Sequence, residues 1–245
     1  MKALILSAGQ GRRLLPLTAD TPKCVLPVAG RPLLVWQIET LLAAGVDDIV
    51  VVVGYRAERV EEAIAPYSRH VRTLFNPFHS VSDNLASCWM ARTEMNEDFF
   101  LLNGDTLFEK AVVTRLLTST QDITVTVDRK PKYDDDDMKV QLEGDRLLRI
   151  GKKLPPQQSD AEAIGLILFR EAGGKLFRAA LEASMRRGEA LRQWYLSVVD
   201  GLADQIVVSV KSIEGMRWAE VDTASDLENA SFVVKSTDLK SAVAE

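Results

Sequence analysis

The sequence predicts an α/β protein, a three-layer α/β/α arrangement around a mostly parallel mixed sheet. Three observations carry that expectation. Short apolar runs at 3–6 and 99–102 and a β-branched run at 49–53 read as strands buried on both faces. Between them, apolar residues recur at helical spacing over 33–44 and 58–65. Glycine-bearing turns follow the strands, with Gly9 and Gly11 after the first, Gly54 after the second and Gly104 after the run at 99–103.

The first strand breaks into Ser7-Ala8-Gly9-Gln10-Gly11-Arg12-Arg13, where small residues allow a turn that exposes backbone amides. Those amides, with Arg12, Arg13 and Lys23, offer the donors and positive charge that a polyphosphate needs. Two familiar phosphate loops are excluded. Leu14 stands where a dinucleotide fingerprint requires a third glycine, and no Gly-Lys-Ser/Thr follows. Taken alone, the Gly-x-Gly pair suits an ordinary turn equally well.

The stretch 27–32 has turn chemistry, and the helix at 33–44 is closed by Gly45. A strand at 48–53, a helix at 58–65 and a strand at 70–75 complete a β-α-β-α-β order, which implies parallel strands with right-handed crossovers in a Rossmann-like sheet. The loop 76–84 precedes a helix at 85–92. It follows the third strand, so it is expected at the carboxyl edge of the sheet beside the opening loop, where ligands of open α/β sheets bind. Asp83 and Asn84 suit the N-cap of that helix as well as a ligand contact.

The strand at 99–103 delivers Gly104-Asp105, and Asp105 is the first candidate ligand for Mg²⁺. Residues 122–128 alternate as a strand, and 138–142 and 146–150 flank Glu143-Gly144-Asp145 as a hairpin, a small lid-like insertion after the fifth strand. Four aspartates, 134–137, lie ahead of the hairpin. They read either as a solvated loop or as a negative field beside Tyr133 that suits a small cation. A strand at 165–169, a helix-rich stretch at 173–203 containing Trp194 and Tyr195, and a strand at 206–210 follow. Glu220-Val221-Asp222-Thr223 then precedes a terminal helix at 224–234. The chain is read as a single catalytic domain over 1–235 with a polar tail over 236–245.

At 245 residues and 27.1 kDa the chain is long enough for a sizeable core. A net charge of −5 opposes a polyanionic partner, so no nucleic acid is expected. No apolar run approaches a membrane span and no signal-like start is seen, which makes the cytoplasm the expected location. Cys24 and Cys88 lack metal spacing, and a structural disulfide is not expected. Nothing opposes a homo-oligomer.

The segment Ala8-Gly9-x-Gly11-x-Arg13-Leu14-x-Pro16-Leu17-Thr18-x-x-x-Pro22-Lys23 resembles the signature of the sugar-phosphate nucleotidyltransferases. Further along, Asn76-Pro77, Asp83-Asn84-x-x-Ser87-x-Trp89, Tyr133-Asp134-x-Asp136-x-Met138-Lys139-Val140 and Ile150-Gly151-Lys152-Lys153-Leu154 resemble the bacterial phosphocholine cytidylyltransferase-like branch. Gly151-Lys152-Lys153 replaces the Glu-Lys-Pro of the hexose-1-phosphate enzymes, a departure that weakens a sugar assignment.

The resemblance implies the nucleotide-diphospho-sugar transferase fold and a Mg²⁺-dependent nucleotidyl transfer with release of pyrophosphate. It implies that Asp105 and Asp222 hold the metal, and that Ala8, Gly9, Gly11, Arg12, Ser82, Asn84 and Gly104 contact the nucleotide. CTP is the favoured triphosphate. Arg13, Lys23, Lys139 and Lys153 are expected to neutralise phosphate charge, and the partner is a small phosphorylated acceptor. For an ammonium-bearing acceptor, Tyr133, Trp194, Tyr195 and Trp218 offer aromatic faces and Asp134, Asp136 and Glu162 offer carboxylates, although a core role suits Trp194 and Tyr195 equally. The acceptor oxyanion is ionised at neutral pH, so no protein nucleophile is needed. The alternatives are a sugar-1-phosphate or polyol-phosphate nucleotidyltransferase and, in another class, a non-catalytic nucleotide-binding subunit. The presence of Arg13, Lys23, Asp105 and Asp222 disfavours the last.

Overall fold

A computed structural model describes residues 1–235; the expected polar tail over 236–245 lies outside the described residues. The elements are β1 (Lys2–Ser7), β2 (Pro27–Val28), β3 (Arg31–Pro32), α1 (Leu33–Ala43), β4 (Asp48–Val53), α2 (Ala57–Ile64), β5 (Val71–Phe75), α3 (Asn84–Met90), β6 (Phe99–Asn103) and β7 (Thr106–Phe108). They continue as α4 (Lys110–Leu117), β8 (Ile123–Asp128), β9 (Lys139–Glu143), β10 (Arg146–Ile150), β11 (Ala161–Phe169), α5 (Glu171–Met185), α6 (Leu196–Ala203), β12 (Ser209–Ser212), β13 (Trp218–Glu220) and α7 (Ala224–Lys235).

Among the described residues the main sheet has nine strands in the order β5-β4-β1-β6-β11-β8-β12-β10-β9. The first four are parallel, as the β-α-β-α-β reading requires. The expected parallel character stops at β11, which runs antiparallel to both β6 and β8. The sheet is mixed throughout its second half.

β1 explains the layering. Its alternate side chains Leu4 and Leu6 join one core with α3, α5 and α6, while Ala3 and Ile5 join a second core with α1, α2 and α4. Both faces of the sheet are thus covered by helices. Lys2 opens this fully buried strand because its ammonium is paired with Glu94 at 2.9 Å. A third cluster packs the opening segment, through Leu14, Leu26 and Val28, against Ala230, Val233 and Val234 of α7.

Several expectations are corrected. The hairpin of β9 and β10 is not a lid: β9 pairs back onto β11, and β10 meets β12 at Arg146 and Ser209, so the hairpin is the edge of the main sheet. β11 begins at Ala161, four residues before the expected start. Gly165, at φ +76°, sits in an irregularity of the pairing with β8, and in sequence it looks like a boundary. Trp194 and Tyr195 precede α6 rather than lying within a helix, and β12 starts at Ser209 instead of 206. The short strands β7 and β13 and the helix α4 were not anticipated.

Candidate active site

The site forms where β1 and β6 end side by side and the β7–β13 ribbon crosses their carboxyl edge. Gly11, at φ +78°, turns the opening loop so tightly that a Cβ there would lie 2.6 Å from Cβ of Lys23. The loop bonds to itself: the Thr18 hydroxyl donates to the Gly11 carbonyl at 2.9 Å and the Gln10 amide to the Thr18 carbonyl at 3.1 Å. Gly104 lies flat against β1, since an added Cβ would sit 2.7 Å from the Leu6 carbonyl oxygen. Lys23 and Asp105 are thereby brought to the same point.

β13 pairs antiparallel with β7, with Glu220 opposite Thr106, and the Val221 amide donates to the Asp105 carbonyl at 3.0 Å. Glu220 and Asp222, two residues apart on an extended backbone, point the same way. Carboxylate oxygens of Asp105, Glu220 and Asp222 consequently lie within 4.8 Å of one another. Three hard oxygen donors from two separate strand ends suit Mg²⁺, which takes few protein carboxylates and keeps water and phosphate oxygens in its other positions.

Lys23 enters this cluster, with Nζ 2.8 Å from Asp105 Oδ2 and 2.6 Å from Asp222 Oδ1. Burial alone would lower its pKa, but Asp105 and Asp222 more than offset this and raise it. Arg13 donates to Asp222 at 2.8 Å and to Asp136 at 3.1 Å, and Lys152 reaches the other oxygen of Asp136 at 3.2 Å. Glu220 is crowded by protein and by the charges of Asp105 and Asp222, which push its pKa up to about 8. Its side chain nonetheless keeps solvent access.

Three hollows adjoin. One of about 370 Å³ is lined by Gln10, Arg12, Tyr55, His79 and Ser82. The next, about 230 Å³, is lined by Ala8, Gly9, Ser82, Asn84, Gly104 and Asp105. The third, about 170 Å³, lies among Arg13, Asp136, Lys152, Trp194, Glu220 and Asp222. The sequence-predicted nucleotide residues therefore gather along the first two, with Gly11 beside Lys23, and the expected metal ligands gather at the third.

Other expected residues are built into the support instead. Lys139 is fully buried and donates to the carbonyls of Asp134 and Asp137 at 2.5 and 3.3 Å. Asp134 accepts the amides of Asp136 and Asp137, which folds its loop onto itself. Glu162 is buried and paired with Lys130 at 2.8 Å, and burial pushes its pKa up to about 7 despite that cation. Tyr133 is 9% exposed with Lys130 over its ring, and the Trp218 indole donates to Asp128 at 2.7 Å. Lys153 is exposed and lines none of these hollows. Sequence reasoning missed Lys152 and Glu220. The signals were present, because Lys152 adjoins the chosen Lys153 and Glu220 precedes Asp222 by one strand repeat.

A mixed sheet with a glycine-bearing loop and an acidic cluster at one edge suits a nucleotidyltransferase. Residues 3–161 match the MobA-like NTP transferase domain family, and the chain belongs to it. It is 34% identical over 244 residues to the CMP-5'-(3-aminopropyl)phosphonate synthase of Streptomyces rubellomurinus, covering 95% of this chain but only 38% of that protein. With the choline-phosphate cytidylyltransferase of Streptococcus pneumoniae it shares 25% identity over 244 residues, 96% of this chain and 99% of that one. The solved inositol-1-phosphate CTP transferase from T. maritima superposes with a TM-score of 0.83 at 23% identity, covering 100% of this chain and 98% of that one, a likeness of fold.

Proposed function

We propose that the chain is a Mg²⁺-dependent cytidylyltransferase that joins CMP from CTP to the phosphate or phosphonate of a small amine-bearing acceptor and releases pyrophosphate. The observation that carries this reading is the convergence of Asp105, Glu220 and Asp222 beside Lys23 and Arg13 at the junction of the hollows. The relatives named for CMP-aminopropylphosphonate and choline phosphate support the nucleotide and the class of acceptor.

In this reading an acceptor oxygen attacks the α-phosphorus, the bond from that phosphorus to the bridging oxygen breaks, and the electron pair leaves with pyrophosphate. Asp105 and Asp222, with Glu220 beside them, would hold Mg²⁺, which supplies charge neutralisation at the α-phosphate. Amides from Ala8 to Gly11 would bind the triphosphate, and Lys23 would neutralise the departing pyrophosphate. Arg13 and Lys152 would take the acceptor phosphate in the third hollow, positioning it in line. The faces of Tyr133 and Trp194 already carry lysine ammonium groups, and of Asp134, Asp136 and Glu162 only Asp136 lines the third hollow, so the acceptor's amine would meet Asp136 as Arg13 and Lys152 turn to its phosphate. Residues 1–235 would act as one catalytic unit. Among the described residues no helix is long and apolar enough to cross a membrane, and two free buried cysteines suit a reducing cytoplasm.

The test crosses CTP, UTP, GTP and dTTP with phosphocholine, phosphoethanolamine, 3-aminopropylphosphonate, inositol phosphate and glucose-1-phosphate, reading pyrophosphate. Turnover is expected with CTP and an amine-bearing acceptor, and Asp105→Asn and Asp222→Asn should each lower it by about 10³-fold, the scale for losing transition-state charge stabilisation. Turnover confined to the sugar or polyol phosphates would instead assign the sugar or polyol branch. Nucleotide binding without turnover of any pair would make the chain a non-catalytic nucleotide-binding subunit.

A further inference from the structure

We propose that Lys23 is a built-in counter-ion that closes the metal site of the nucleotide-free chain, so that metal is admitted only together with a triphosphate. The inference rests on the metal assignment above and adds an order of events to it.

The Lys23 ammonium lies between oxygens of Asp105 and Asp222, at 2.8 and 2.6 Å, and Arg13 takes the second oxygen of Asp222 at 2.8 Å. Its side chain is 13% exposed and those of the two aspartates are about 20% exposed, so bulk water screens these pairs only partly. A divalent ion arriving alone must expel the ammonium, and Mg²⁺ already gives up its water reluctantly. The lysine stem is held against Gly11, which leaves only its outer bonds free to swing. Lys23 itself lines a fourth hollow, within reach of that swing. It holds about 130 Å³ and is lined by Ser7, Gly9, Gly11, Lys23, Gly104 and Asp105.

A polyphosphate seated in that hollow offers Lys23 new anionic partners at the moment the carboxylates need a new cation. Each cation keeps anionic partners through the exchange: phosphate oxygens take the lysine and the carboxylates take the metal. Metal and nucleotide must then bind with positive coupling, each strengthening the other by the same factor.

Mn²⁺ binding without nucleotide, followed by the loss of the free-ion paramagnetic resonance signal, tests this. Wild type should bind Mn²⁺ weakly, Lys23→Met at least tenfold more tightly, and Lys23→Arg, which keeps the charge, as weakly as wild type. Lys23→Gln replaces Lys23→Met if circular dichroism shows the latter to be unfolded. Equal affinity of wild type and the uncharged variant would overturn the proposal while leaving the metal assignment standing. A tight site that survives in Lys23→Met/Asp222→Asn would place the ion elsewhere, and the metal assignment would fall with the proposal.

Discussion

The backbone amide of Tyr195 donates to the side-chain oxygen of Asn84 at 3.0 Å, joining the start of α3 to the turn that carries Trp194. Two further backbone bonds, Asp83 to Leu191 at 2.8 Å and Leu85 to Gln193 at 3.2 Å, run alongside. Tyr195 is fully buried and its hydroxyl donates to Asn103, so this turn is anchored on the sheet from below. Asn84 therefore works through its neighbour, holding Trp194 at the border between two hollows.

Replacing Asn84 by alanine should leave the Tyr195 amide without its acceptor at a cost of about 1–3 kcal/mol. Thermal unfolding should register that loss, and KM for both substrates should rise more than kcat falls. Asn84→Asp keeps the acceptor oxygen and should recover most of the stability.

Lys152 and Lys153 separate cleanly in a pair of variants. Lys152 faces the third hollow and Asp136, whereas Lys153 is exposed away from it. Lys152→Ala should raise the acceptor KM about tenfold or more at saturating CTP, the scale of one hydrogen bond to a charged group. Lys153→Ala should leave it within about twofold, since an exposed charge without a fixed partner contributes little. Equal effects in steady-state kinetics would return the acceptor phosphate to the site's outer rim.

Glu162 gives a pH prediction with a definite sign. Burial and the neighbouring Asp137 raise its folded pKa from 4.5 to about 7 against the pull of Lys130. Between those values the folded chain holds a proton that the unfolded chain has released. Stability must therefore fall as pH rises through that window. Asp137, whose pKa is lowered, titrates below it. The melting temperature of wild type relative to Glu162→Gln should thus decline from pH 4.5 to pH 7.5. A difference that stays flat through most of that window would show that the Lys130 pair keeps Glu162 ionised throughout.

The parts of the fold written in hydrophobic period were legible. β4 and β6 fall where their runs place them, because strands buried on both faces need continuous apolar residues, and β10 falls where the turn Glu143-Gly144-Asp145 places it. β7 and β13 were not legible: each has three residues and is defined by its partner, a contact between positions more than a hundred residues apart. That ribbon is what adds Glu220 to the site. For the same reason Lys139 and Glu162 could not be told from ligands in sequence. A charged residue at a strand end is written identically whether its partner is a substrate or the chain itself.

The stretch that marks the chain as a family member ends at 161, whereas two of the three clustered carboxylates stand at 220 and 222. The family match thus takes in one of the three clustered carboxylates and stops short of the other two. A chain that shared only the first 161 residues would keep the glycine-bearing loop, Lys23 and Asp105 and would lack the ribbon that answers them. Glu220 stands 115 residues beyond Asp105, and the pairing of β13 with β7 is what brings the two ends of that length together.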